Sequence, residues 1–166
     1  TGDVIWLYTV NDEIHSSALI DSEGRLFFGS LNGTLTCLDS EFGSLYWQAS
    51  LGSDVYSSPA LSPDGSTVYV GAYNSKVYAL DAVTGEEQWN YLCSNISTVT
   101  SSHRIYGSMA VDEEGAIYIG NYDKKLYAIN PDGTEKWTYN TGGRILYSSP
   151  ALGNDGEIYI GNNDEE

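Results

Sequence analysis

The sequence predicts an all-β fold built from four-stranded antiparallel modules, and three observations carry that expectation. Trp6, Trp47, Trp89 and Trp137 recur at spacings of 41, 42 and 48 residues. Each closes the same phrase, a glycine followed by three residues and the indole, starting at Gly2, Gly43, Gly85 and Gly133. Between the indoles, short runs of β-branched and aromatic residues are separated by turns carrying Gly, Asn and Asp, and helical periodicity appears nowhere. A period near 40 residues marks units that each form one small sheet and hide its faces against neighbouring sheets.

Four strands can be read in each unit. The first is Tyr56 to Leu61, repeated at Tyr106 to Val111 and Tyr147 to Leu152, with His15 to Ile20 as the divergent copy. A turn ending in Gly24, Gly65, Gly115 or Gly156 follows, where glycine supplies the left-handed conformation that closes a hairpin. The second strand (Leu26–Gly29, Val68–Gly71, Ile117–Gly120, Ile158–Gly161) is apolar at every position, as expected of a strand covered on both faces. The next turn holds Asn32-Gly33, Asn74-Ser75, Asp123-Lys124 or Asp164-Glu165, where Asn and Asp tolerate left-handed backbone. The third strand is Leu35–Asp39, Val77–Asp81 or Leu126–Asn130, and the fourth carries the tryptophan. Four antiparallel strands at this repeat length make the blade of a β-propeller.

The chain thus divides into three complete blades, 13–50, 54–91 and 104–140, with partial blades at both ends. Residues 1–8 read as the outer strand of a preceding blade, and 145–166 as a half blade. Residues 92–103 form an insertion: Trp89 to Tyr106 takes 17 steps, against nine from Trp47 to Tyr56 and ten from Trp137 to Tyr147. Strand edges left open at the two ends invite pairing with another chain, so self-association is expected of the isolated segment.

A formal net charge of −16 argues against binding nucleic-acid phosphates or an anionic membrane surface. No apolar run approaches the roughly 20 residues of a spanning helix, so membrane insertion is not expected. Two cysteines are too few for a disulfide framework. Cys37 fills the strand position of Ala79 and Ala128 and reads as a small buried thiol, whereas Cys93, in the insertion, reads as either paired with a partner or free.

The run Ala79-Leu80-Asp81-Ala82-Val83-Thr84-Gly85-Glu86-Glu87-Gln88-Trp89 resembles the tryptophan-docking motif of the PQQ-like, quinoprotein-type β-propeller repeat family. Cys37 to Trp47 keeps the spacing but has Cys37 for alanine and Phe42 for threonine, while Ala128 to Trp137 is one residue shorter and has Asn130 for the aspartate. The resemblance covers essentially the whole chain and implies a parent of seven or eight blades. It also implies a periplasmic, cell-surface or extracellular setting. The motif's own residues read as structural. Trp6, Trp47, Trp89 and Trp137 should pack between blades with the indole N–H on a backbone carbonyl, and Asp39, Asp81 and Asn130 should accept hydrogen bonds from turn amides.

Enzymes of that family are implied to need a quinone, a calcium-type ion, an aspartate base and an adjacent cysteine pair. The sequence has no Cys-Cys, and its carboxylates Asp21, Glu23, Asp64, Asp112, Glu113, Glu114 and Asp155 fall in turns as hairpin caps. His15 replaces a packing tyrosine, and the serines recur in the blades, which argues for architecture over a unique nucleophile. No catalytic, metal or cofactor residue is assigned. The expected function is a non-catalytic, BamB-like propeller segment that scaffolds contacts with protein or carbohydrate. The alternatives are a piece of a PQQ-dependent dehydrogenase or the sensor domain of a larger protein. The rim bearing the insertion, with Tyr91, Ile96, His103 and Arg104, is the candidate contact surface. The sequons Asn32-Gly33-Thr34 and Asn95-Ile96-Ser97 are unspecific in a chain this rich in Asn, Ser and Thr.

Overall fold

The computed structural model describes residues 2–94 and 104–163. Ile96, His103, Thr1 and the turn at Asp164-Glu165 lie outside them. The fourteen strands form three four-stranded antiparallel sheets and one two-stranded sheet. Blade one is β1 (Leu19–Ile20), β2 (Arg25–Ser30), β3 (Thr34–Asp39) and β4 (Leu45–Ser50). Blade two is β5 (Ala60–Leu61), β6 (Thr67–Gly71), β7 (Lys76–Asp81) and β8 (Glu87–Leu92). Blade three is β9 (Ala110–Val111), β10 (Ile117–Asn121), β11 (Lys125–Ile129) and β12 (Glu135–Asn140), followed by β13 (Ala151–Leu152) and β14 (Ile158–Tyr159). Strands pair strictly in sequence order, and no helix occurs among the described residues. Residues 2–10 form no ladder there.

β6 and β10 are buried at every position, which is the structural meaning of their uninterrupted apolar sequence. The core lies in the seams. Phe27, Leu35, Cys37 and Trp47 of blade one pack with Val68, Val70, Tyr78 and Leu80 of blade two. Tyr69, Val77 and Ala79 of blade two pack with Ile117, Ile119, Tyr127 and Ile129 of blade three.

Three of the four indoles work across a seam in the same way. Trp6 Nε1 donates to Ser40 O at 3.1 Å, Trp47 Nε1 to Ala82 O at 3.3 Å, and Trp89 Nε1 to Pro131 O at 2.9 Å. The six-membered ring of each lies on the turn glycine of the following blade. A Cβ added to Gly43, Gly85 or Gly133 would sit 2.6, 2.5 or 2.8 Å from that indole. These glycines also have φ of +68°, +75° and +84°, so the phrase needs glycine twice over, for backbone and for space. Directly across the ladder from Trp47, Trp89 and Trp137 stand Cys37, Ala79 and Ala128, small residues that leave room for the ring. A β-bulge beside each pair, leaving Tyr46, Gln88 and Lys136 unmatched, re-aims the outer strand at this point.

Asp39 Oδ1 accepts the amides of Glu41 and Phe42 at 2.9 and 2.7 Å, and Asp81 Oδ1 those of Val83 and Thr84 at 2.9 and 2.8 Å. Asn130 departs from expectation. Its side-chain amide donates to Thr134 Oγ1 at 2.9 Å, and Asp132 Oδ1 takes the Thr134 amide at 3.0 Å, because the shorter turn moves the acceptor two residues along. Two other local expectations also differ. The innermost strands pair over only two residues; Pro59 and Pro150 lack an N–H in two of them, and the serine amides Ser17, Ser58 and Ser108 bond to the next innermost strand instead. In the β2–β3 type turns the left-handed residue is the second of the pair, Gly33, Ser75 (φ 64°) or Lys124 (φ 71°). Asn32, Asn74 and Asp123 instead accept the amide two residues on at 3.1, 3.2 and 3.2 Å.

Hydrogen bonds to the turn carboxylates make them stronger acids. The Ser62 hydroxyl, then the Ser66 amide and hydroxyl, pull Asp64 from 3.8 down to about 2. Asp39 is lowered first by the Tyr46 phenol, Asp81 first by the Thr84 amide, and Asp132 first by the Thr134 side chain. A carboxyl whose folded pKa lies below its unfolded value stabilises the fold above the unfolded pKa, and that contribution disappears as pH falls through the folded one. Melting curves should therefore give a Tm that is flat from about pH 5 to 8 and falls between about pH 4 and 2. A constant Tm across that window would contradict these caps.

A candidate interaction site at the channel mouth

Successive innermost strands bring one repeat position to a common point. His15, Tyr56, Tyr106 and Tyr147, with Ser58, Gly107, Ser108 and Ser149, line a cavity of about 210 Å³. The strands are stitched together by hydroxyls. Ser17 N donates to Ser58 Oγ at 2.8 Å, Ser58 N to Ser108 Oγ at 3.0 Å, and Ser108 N to Ser149 Oγ at 3.0 Å. The recurring serines are thus architectural. His15 serves as an aromatic, 5.0 Å from the Tyr56 ring, with Nε2 on Glu13 Oε2 at 2.8 Å.

A second repeat position joins this one. Tyr73 and Tyr122, in the turns after β6 and β10, stand beside the first set. Tyr73 stacks on Tyr56 at 4.4 Å and meets Tyr106 edge-on at 4.8 Å, while Tyr106 approaches Tyr122 at 6.1 Å and Tyr147 at 5.4 Å. Guanidinium groups cap the row. Arg104 lies 4.6 Å over Tyr73 and Arg144 4.6 Å over Tyr122, with Arg144 Nη1 on the Tyr122 hydroxyl at 2.8 Å. Each arginine thereby bridges to the preceding blade through a cation–π contact. Burial, then hydrogen bonding to Tyr106 and Tyr56, pushes the Tyr73 phenol well above the usual tyrosine range. Hydrogen bonding to Tyr106 leads the upward shift of Arg104. Both groups keep fixed charge states at neutral pH.

The backbone holds this rim rigidly. Glu13, Asp54, Arg104 and Arg144 occupy one equivalent position, their carbonyls accepting the amides of Leu31, Tyr73, Tyr122 and Asn163 at 2.9, 2.9, 3.1 and 2.8 Å. The buried Val55, Ile105 and Ile145 that follow three of them rest on Gly29, Gly71 and Gly120 of the preceding blade, where a Cβ would come within 2.2, 2.5 and 2.3 Å.

Of the sequence candidates, the structure brings Arg104 to the mouth. Tyr91 goes elsewhere: it ends β8, packs on Tyr127 at 6.3 Å ring separation and donates to Glu135, so it belongs to the seam between blades two and three and not to an exposed loop. Cys93 is buried, its carbonyl accepting from Asn121, and burial raises its thiol well above the usual range. Cys37 is likewise free and buried, and burial carries its pKa to about 12. The two thiols lie in different seams, tyrosine rings line the mouth around a cavity of only about 210 Å³, and no group of three metal-ligating side chains forms among the described residues. These residues do not fit a quinone with its metal ion. Tyr73, Tyr122 and Arg144 were missed in the sequence, although both tyrosines fall two residues after the strand-two glycine. Arg144 was obscured by the extra residue Leu146, which shifts Tyr147 by one from its repeat position.

Comparison with known proteins places this architecture. The chain is similar to Outer membrane protein assembly factor BamB of Yersinia pestis, 29% identical over 125 residues that cover 69% of this chain and 30% of the relative. It is 38% identical to BamB of Aliivibrio fischeri over 96 residues, covering 51% and 24% of the two chains. The crystal structure of BamB from Moraxella catarrhalis superposes with a TM-score of 0.77 at 22% identity, over 96% of this chain and 50% of that one. Quinohemoprotein alcohol dehydrogenase from Comamonas testosteroni shares the fold at a TM-score of 0.65 and 21% identity, over 77% and 21%. The chain spans about a third of the length of the curated relatives it matches. The family model described as Outer membrane protein assembly factor BamB matches residues 1–165, and the chain belongs to that family of β-propellers.

Proposed function

We propose that this segment is a non-catalytic scaffold that docks a protein partner at the channel mouth, in an outer-membrane protein assembly role on the periplasmic or cell-surface side. The row of half-exposed tyrosines capped by Arg104 and Arg144 carries the reading. Tyr and Arg dominate the energetic centres of protein interfaces, and here both are held in place before any partner arrives. The relatives' designation as assembly factors supports the same reading. The exposed Val4, Ile5 and Leu7 at one end and Tyr159 at the other support self-association of the isolated segment.

A photo-reactive benzoylphenylalanine in place of Tyr147, which is 74% exposed, tests the docking surface in the full-length protein. It is expected to crosslink to a component of the outer-membrane assembly machinery, while the same group replacing Tyr46 on the outer strand does not. Equal labelling from both positions, or none from Tyr147, would overturn the assignment.

A further inference from the structure

The equivalent rim position changes sign around the mouth. Glu13 and Asp54 occupy it in blades one and two, Arg104 and Arg144 in blade three and the half blade. Their four carbonyls make the same hydrogen bond, so the backbone course is shared, while the side chains differ in charge and in neighbour: Glu13 Oε2 lies 2.8 Å from His15 Nε2 and the two arginines lie over tyrosine rings. In a chain with seven basic and 23 acidic residues, two of the three arginines sit at this single repeat position. Among the described residues neither is in a salt bridge, whereas Arg25 pairs with Asp21 and Glu23. The tyrosine rings hold Arg104 and Arg144 by their faces, and phenol hydroxyls take part of their N–H capacity (Tyr122 on Arg144, Tyr106 and Tyr73 on Arg104), leaving the remaining donors for a carboxylate.

We propose that the mouth is a polarised cradle for an extended protein segment of divided charge, its carboxylates on Arg104 and Arg144 and its ammonium groups on Glu13 and Asp54. The proposal rests on the docking reading above and adds the partner's chemistry. A purely acidic segment is opposed by Glu13, Asp54 and the net charge of −16, and a purely basic one by the two arginines. A bipolar segment meets complementary charge at both ends and fixes its direction across the mouth. At physiological ionic strength the Debye length is about 8 Å, so these near contacts outweigh the remote carboxylates. Between the two charged ends, the tyrosine faces supply apolar contact area at little entropic cost.

Fluorescence anisotropy with the full-length protein and a labelled peptide, Glu-Ser-Glu-Ser-Gly-Ser-Lys-Ser-Lys, reads the proposal. This peptide is expected to bind at least about tenfold tighter than versions with Gln at every charged position, or with only Glu or only Lys there, a difference near 1.4 kcal/mol. The paired change Arg104→Glu with Arg144→Glu should abolish that preference and favour the all-Lys peptide. Glu13→Lys with Asp54→Lys should favour the all-Glu peptide. The milder pair Arg104→Gln with Arg144→Gln keeps the test open if charge reversal disturbs folding, and it should weaken the bipolar peptide about tenfold. Equal affinity for all four peptides, or a preference that survives both charge reversals, overturns the charge order. If that happens while benzoylphenylalanine at Tyr147 still crosslinks, the docking surface stands and only its polarity is lost. If both fail, the mouth is not an interface.

Discussion

Trp47→Ala is expected to lower stability by about 3–5 kcal/mol, the range for removing a buried aromatic side chain from a packed core. Trp47 is only 9% exposed, and the loss has four parts: ring contact with Phe27 at 5.9 Å, the seat on Gly85, the bond to Ala82 O and packing against Val68 and Leu80. Stability in a repeat array is approximately a sum of unit and nearest-neighbour terms, so the substitution uncouples blades one and two rather than melting one blade. Trp137 supplies an internal comparison. It packs on Tyr118, Leu152 and Ile158 but has no turn glycine beneath its ring among the described residues. Trp137→Ala should cost no more than about 1–2 kcal/mol, closer to the transfer term of a partly buried side chain. Urea denaturation of both variants checks the contrast, and equal losses would contradict the unequal seams.

The second large effect concerns a substitution that the repeat pattern itself recommends. Gly107 stands where the other units have Ser16, Ser57 and Ser148, so Gly107→Ser restores the consensus. It is nevertheless expected to destabilise by about 2–3 kcal/mol, the upper part of the overpacking range. A Cβ at Gly107 would lie 2.3 Å from the backbone carbonyl oxygen of Ser148, and backbone cannot rotate aside as a side chain can. The obstruction also falls beside the Ser108 N to Ser149 Oγ bond that joins these innermost strands. A higher melting temperature for Gly107→Ser than for the parent chain would overturn this account.

How far the sequence spoke depended on whether a feature repeats in one register. Blade order, the buried second strand and the docking of Trp6, Trp47 and Trp89 were legible, because the same residue types fall at the same step in every unit and each type has a single packing role. The bulges at Tyr46, Gln88 and Lys136 were not, since an unmatched residue changes the ladder without altering composition. The mouth was half legible. Arg104 stood out beside the insertion, but its partner Tyr73 is about thirty residues away and belongs to the preceding blade, and only closure of the seam brings ring and guanidinium within 4.6 Å. Tyr91 misled for a related reason. Proximity to the insertion suggested a loop, yet its strand continues to Leu92 and the phenol finds Glu135 across the seam.

The indole seams have a consequence for how such chains grow. The joints made by Trp6, Trp47 and Trp89 are asymmetric: one unit contributes a ring, the unit after it a glycine and a carbonyl oxygen. A unit carrying both halves can therefore make this part of the joint on either flank without a matching mutation. Unequal crossing-over between repeats of the gene would preserve the indole–glycine contact at a new junction, while the apolar seam residues that differ from blade to blade would still have to refit.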